Sequence, residues 1–181
     1  MKATLKFLFI SIFAVALLAA CGNENTSNDE STEPTDESAD VVTSASIVDE
    51  AEALVNGLSE DGTWIVATLN DITVEDEIVV AGEFHDKDDP SADIYRKLGL
   101  YTQDEDHNIT DSFTLTAPKM TVQSENFRIQ GGTFVGDVYV EANGFNLHET
   151  AKIDGNIYYA SDEYQESAVI DGDVTGTEEV Q

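Results

Sequence analysis

From Ser46 onward, apolar side chains recur at every second position in run after run. That is the period of a strand with one face buried. Thr63 to Leu69, Ile72 to Val74 and Glu77 to Phe84 read this way, as do Ser112 to Thr116 and Lys119 to Gln123 on either side of Pro118. One stretch keeps a different period. Ile47, Ala51, Leu54, Val55 and Leu58 fall on one face at helical spacing, and Gly57 supplies a stop signal, so a short helix is expected over Ile47 to Leu58. The charged segment His85 to Ala92, which holds Pro90, reads as a loop, and Glu105 to Asn108 as a turn. Asp93 to Tyr101 reads as a helical turn leading into a strand.

The last fifty or so residues repeat. Phe134-Val135-Gly136-Asp137-Val138 aligns with Ile153-Asp154-Gly155-Asn156-Ile157 and with Ile170-Asp171-Gly172-Asp173-Val174. The glycines Gly136, Gly155 and Gly172 are 19 and 17 positions apart, close to the length of one coil of a β-solenoid. Strand parity puts Phe134, Val138 and Val140 on one side, with Ile153, Ile157 and Tyr159, and Ile170 with Val174. Stacked coils would then bury Phe134 on Ile153 on Ile170, and glycine between the apolar positions would supply the positive φ of a tight corner. Asp154-Gly155 and Asp171-Gly172 are also strong two-residue hairpin turns, so a meander of short antiparallel strands is the competing expectation. Near-equal spacing with matched flanking residues favours the solenoid.

The stretch Gly131 to Gly176, with Gly136-Asp137-Val138, Gly155-Asn156-Ile157 and Gly172-Asp173-Val174, resembles the bactofilin, or polymer-forming cytoskeletal, family. Thr150-Ala151-Lys152-Ile153-Asp154-Gly155-Asn156-Ile157 is the most similar piece. The resemblance implies a right-handed parallel β-helix with an apolar interior that assembles end to end without nucleotide.

The N-terminus has its own pattern. Lys2 and Lys6 precede an apolar run from Phe7 to Leu18, then Ala19, Ala20 and Cys21, the single cysteine. A short apolar core behind two cations and before small residues is a secretory signal pattern, shorter than the roughly 20 residues of a membrane span. Leu18-Ala19-Ala20-Cys21 resembles the lipobox of bacterial lipoproteins. That resemblance implies a signal peptide over residues 1–20 and a diacylglyceryl group on Cys21. Two acyl chains suffice for stable anchoring. Residues 21–45 are rich in Ser, Thr, Asn, Asp and Glu and poor in apolar side chains, the composition of a disordered acidic tether. Residues 46–181 remain for one domain.

Charge narrows the partners. The chain has 8 Lys+Arg against 37 Asp+Glu, a net charge of −29. Without Lys2 and Lys6 it is 6 against 37, or −31. Such a surface repels nucleic acid.

Candidate chemistry is sparse. His85, His107 and His148 are far apart in polar contexts and read as solvent-facing loop residues, and no nucleophile elbow, phosphate loop or His-Glu-x-x-His site occurs. Asp86 to Asp93 and Asp104 to Asp106 offer oxygen ligands without the central glycine and closing glutamate of a calcium loop, so only weak calcium binding is expected. Tyr139 and Tyr158 align in the repeat with outward parity, as a candidate platform for a sugar ring or as a simple cross-strand pair. The expectation is therefore a mainly β protein: a small parallel β-solenoid with a short N-terminal helix. It would be held by lipid on Cys21 at the outer side of the cytoplasmic membrane or in the envelope. Its expected role is a structural scaffold or interaction module capable of self-association, with no enzymatic activity and no cofactor. The alternative is a ligand-binding lipoprotein that captures calcium or cell-wall glycan.

Overall fold

The computed structural model describes residues 45–181, which lie within one compact unit. The expected signal peptide, Cys21 and the tether up to residue 44 lie outside the described residues. In chain order the elements are β1 (Ser46–Val48), α1 (Ala51–Leu58), β2 (Ile65–Thr68), β3 (Ile72–Thr73), β4 (Ile78–Val80), β5 (Arg96–Gly99), β6 (Tyr101–Gln103), β7 (Ile109–Ser112), β8 (Thr114–Val122), β9 (Phe127–Gln130), β10 (Thr133–Val140), β11 (Asn146–Leu147), β12 (Lys152–Asp154), β13 (Ile157–Tyr159), α2 (Asp162–Ser167), β14 (Val169–Ile170), β15 (Asp173–Val174) and β16 (Glu178–Val180).

The protein is mainly β, and its two large sheets are parallel. One has the order β1-β2-β5-β9-β11-β14. In the other, β3 and β4 pair with β8, β8 with β10, β10 with both β12 and β13, and these with β15 and β16. From β2 onward the chain alternates between the two sheets, with the β6–β7 hairpin as an excursion. Parallel strands buried on one face demand this alternation, because a parallel neighbour is reached only by a crossover.

The core lies between the sheets and is organised in columns. Ile72, Leu115, Phe134, Ile153 and Val174 occupy successive strands in register. Val66, Leu98, Ile129, Leu147 and Ile170 form a column in the other sheet. All are buried except Val174 and Ile170 in the last layer, which are half-buried. Each fully buried side chain of this size contributes about 1.5–3 kcal/mol.

Several expectations need correction. Phe134 does pair with Ile153, but the neighbour of Ile153 is Val174, and Ile170 lies beside Leu147 in the opposite sheet. The hairpin expectation fails. The strands flanking Asp154-Gly155 both pair with β10, and those flanking Asp171-Gly172 pair with β11 and β12. The helix begins at Ala51. Ser46–Val48 instead extends the edge of β2, burying Val48 and leaving Ile47 outward. The two strands expected around Pro118 are one, β8. Its ladder to β10 is interrupted where Ala117 and Pro118 oppose Gly136 alone, a bulge that spares the missing Pro118 N–H. Helix α2 was not expected, although Ser161 accepts from the Tyr164 N–H and Asp162 and Glu163 open the first turn, both ordinary start signals.

The glycine motif has a different cause from the one expected. A Cβ at Gly136 would run into the carbonyl oxygen of Ala117, one at Gly155 into that of Gly136, and one at Gly176 into that of Gly155. The corner thus forms a column in which each glycine lies under the preceding carbonyl. Gly136 alone of the three needs positive φ, at 142°. Close backbone approach sets the motif, and the third member is Gly176, not Gly172.

Candidate functional site

Strand register brings Tyr139 and Tyr158 directly opposite each other on the outer face. Their ring centroids are 4.8 Å apart with planes inclined by 41°. Lys119 places its ammonium 4.5 Å from the Tyr139 centroid and 3.0 Å from Glu77 Oε1. Hydrogen bonds from Thr121 and then Lys119 hold the Glu77 carboxyl below its usual range. On the other side, Glu179 pairs with Tyr158. The tyrosine pair is therefore an outward ladder whose Tyr139 face is shared with a cation, with a carboxylate at either end.

The acidic loops are tied up locally. Asp89 Oδ1 accepts from both the N–H and the hydroxyl of Ser91, and Asp104 accepts from Asn108 and Asp106. Among the described residues no group of three or more His, Cys, Asp or Glu converges as a metal site. His107 is exposed, but His85 is half-buried, with Nδ1 2.8 Å from the Ala92 carbonyl. His148 is also half-buried and is bonded to Thr150.

The basic residues hold what the sequence reading missed. Arg96 faces inward on β5, in register with Phe127, and is 1 % exposed. Its guanidinium donates to the carbonyls of Gly57, Ser59, Thr63 and Ala81 and to the Ser124 hydroxyl, and stacks 4.1 Å over Phe84. Burial pushes it down to about 10, still charged at neutral pH. It is a structural bolt for the turns around the end of α1.

Lys97 and Arg128 are different. They lie side by side in register on the outer face of the six-stranded sheet. Neither forms an ion pair among the described residues. Lys97 Nζ donates to the Tyr101 hydroxyl at 2.8 Å, and Arg128 Nε to Asn146 Oδ1 at 2.8 Å. Burial, and then the charge of Arg128, push Lys97 down to about 8. Burial also raises Tyr101 above its ordinary value, so its hydroxyl keeps its proton. A groove of about 360 Å³ opens beside Lys97, walled by Ile47, Ile65, Leu69, Gly99 and Tyr101. A wider cleft of about 910 Å³ lies on the Arg128 side, but Asp86 and Asp93 share its rim. A weak sequence signal existed: Arg96-Lys97-Leu98 and Phe127-Arg128-Ile129 each set a cation between two inward positions.

Set beside known proteins, the chain matches no family model, no curated protein and no solved structure. Cys21, the expected lipidation site, lies outside the described residues. No helix among those described is long and apolar enough to cross a membrane.

Proposed function

We propose that this protein is a lipid-anchored interaction module of the cell envelope, a small β-solenoid carried on an acidic tether and able to associate through one end. The signal pattern and Cys21 support the anchor, and the resemblance to bactofilins supports the solenoid. The parallel ladders, the alternation of the chain between two sheets and the glycine corner column all support it too.

The observation that carries the interaction role is the asymmetry of the two ends. Helix α1 packs on β1, β2 and β4 at the first end. Among the described residues β14, β15 and β16 at the other end have a partner on one side only, as β1, β3 and β4 do at the first, but no helix lies across them. Val169 and Val180 are there 47 % and 40 % exposed. An unpaired strand edge is a template for another chain. Glu178 and Glu179 stand on that edge, and the net charge of −31 after loss of Lys2 and Lys6 opposes contact between copies at low salt.

The reading expects the mature chain, residues 21–181, carrying Cys21→Ser to be a monomer or weak dimer in dilute buffer and to associate as salt screens the charge. Sedimentation at low and physiological salt tests this, with Val180→Lys as the variant that keeps the end monomeric. Association that ignores both salt and Val180→Lys would overturn the assignment to this end. For the anchor, Cys21→Ser in cells is expected to abolish retention in the membrane fraction, and full retention would refute it.

A further inference from the structure

Six Lys and Arg side chains lie among the described residues, and two of them sit beside a carboxylate. Lys87 sits 3.8 Å from Asp86, and Lys119 3.0 Å from Glu77. Arg96, Arg128, Lys152 and Lys97 form no ion pair among the described residues, and of these the one that lines the apolar groove is Lys97. Its ammonium is half-buried, lies next to a second cation, and uses one of its three donor hydrogens on Tyr101. Holding a desolvated cation beside another is unfavourable, and an anion arriving from outside relieves both costs.

The surroundings specify what kind of anion. The groove is walled by aliphatic side chains, and Ile47 and Leu69, exposed at 43 % and 45 %, form its lips. Two of the five exposed large apolar side chains of the described residues thus flank one groove. A Cβ at Gly99 would touch Tyr101 and Ala67 at ordinary contact distances of 3.5 and 3.6 Å, so those two side chains shape the floor. At about 360 Å³ it falls at the small end of ligand cavities, roughly 300–1,000 Å³. One wall ends in two donors, the Lys97 ammonium and the Tyr101 O–H, the latter free because its oxygen accepts from Lys97. A carboxylate has two oxygens for two donors.

We propose that this groove binds a small amphipathic carboxylate, an unbranched apolar chain lying between Ile47, Ile65 and Leu69 with its carboxylate on Lys97 and Tyr101. Arg128 reinforces the site from the neighbouring strand without lining the groove. The long-range field of the chain opposes any anion, but it is screened beyond about 10 Å at 0.1 M salt while the short contact to Lys97 is not. Binding is therefore best read at physiological salt.

The test is an NMR titration of the mature chain, residues 21–181, carrying Cys21→Ser, so that neither attached lipid nor the apolar signal competes, with decanoate and with decan-1-ol. Decanoate is expected to shift the amides of residues 65–69 and 97–101 saturably at or below about 1 mM, some 4 kcal/mol of binding. Decanol is expected to bind at least about tenfold more weakly, as loss of a charged hydrogen bond implies. Lys97→Gln should erase the preference for decanoate. Lys119→Gln, on the other sheet, should leave it intact. Ile47→Ser should weaken both probes severalfold and serves as the second variant should Lys97→Gln fail to fold. Equal binding of the two probes, a preference that survives Lys97→Gln, shifts confined to Val169–Gln181, or no saturation at about ten times that concentration would each overturn the proposal.

Discussion

The two ends of this stack of strands are built by different means. At the first, α1 lays Leu54 and Leu58, both fully buried, against the core, and Arg96 ties the surrounding turns through their carbonyls. At the last, Val174 and Ile170 are only half-buried, Ile157 is followed in register by exposed Glu178, and Val180 is exposed. One end has a lid held by hydrogen bonds, and the other presents a layer whose apolar residues are half-buried or exposed. The lesson is that burial in a stack of this kind is set by neighbours on both sides. The same apolar residue type contributes less in the last layer than one layer further in.

The largest test of that difference contrasts adjacent layers. Ile153→Asp puts an unpaired carboxylate into the core and is expected to cost several kcal/mol, enough to unfold the unit in a thermal melt. Thr175→Asp, exposed in the last layer, loses one hydrogen bond to Asp154 and is expected to cost about 1 kcal/mol or less. Equal melting temperatures would break the comparison. Next, Arg96→Ala removes the guanidinium hydrogen bonds to four turn carbonyls and Ser124, although Gly57 and Ser59 keep the N–H groups of Thr63 and Gly62, and is expected to cost about 3–4 kcal/mol in urea unfolding. A loss under about 1 kcal/mol would mean that water replaces the guanidinium. A smaller contrast compares the ends directly: Leu54→Ala should cost about 2–5 kcal/mol and Val174→Ala about 1 kcal/mol.

The smallest effect is one of pH. Lys97 sits at about 8 when folded against an ordinary 10.5, with Arg128 and Tyr101 facing it. Between these values the unfolded chain binds more protons than the folded one, so Lys97 alone makes stability rise as pH climbs from about 8 toward 10. Above 10 the raised Tyr95, Tyr101 and Tyr159 act the other way, because they ionise first in the unfolded chain. The slope between pH 8 and 10 should therefore flatten in Lys97→Gln, as read by urea midpoints.

What the sequence made legible was local. Strand parity at Phe134, Val138, Ile153 and Ile157 needed only alternation, and all four are buried. The 19-residue step from Gly136 to Gly155 is an identity of motif that the register reproduces. The third step went wrong because α2 lengthens the connection, so that Gly176 reaches the corner, 21 positions after Gly155, while Gly172 lies under other carbonyls, those of Ala151 and His148. Ile47 kept helical spacing with Ala51 and Leu54, yet the open edge of β2 captured it. Lys97 and Arg128 are 31 positions apart and carry no motif, so only the register of β5 on β9 could join them. Tyr139 and Tyr158 were visible because they sit inside the repeat. The cation on Tyr139 was not, since Lys119 lies beyond the Pro118 bulge, outside the aligned residues.

The glycine corner also says something about length. Gly155 meets the carbonyl of Gly136 as Gly136 meets that of Ala117, and the step from β10 to β12 and β13 does so without the bulge and positive φ of the one before it. Thr133 to Ala151 carries one complete step, from a strand of one sheet through a strand of the other up to Lys152, which pairs with Thr133. A tandem copy of those 19 residues would stack on the original in the unbulged register that β10 already keeps with β12 and β13, and the lid and the open edge would both stay where they are. Height is thus a quantity that gene duplication can change in whole steps, leaving the two termini as they were, and only the separation between them grows.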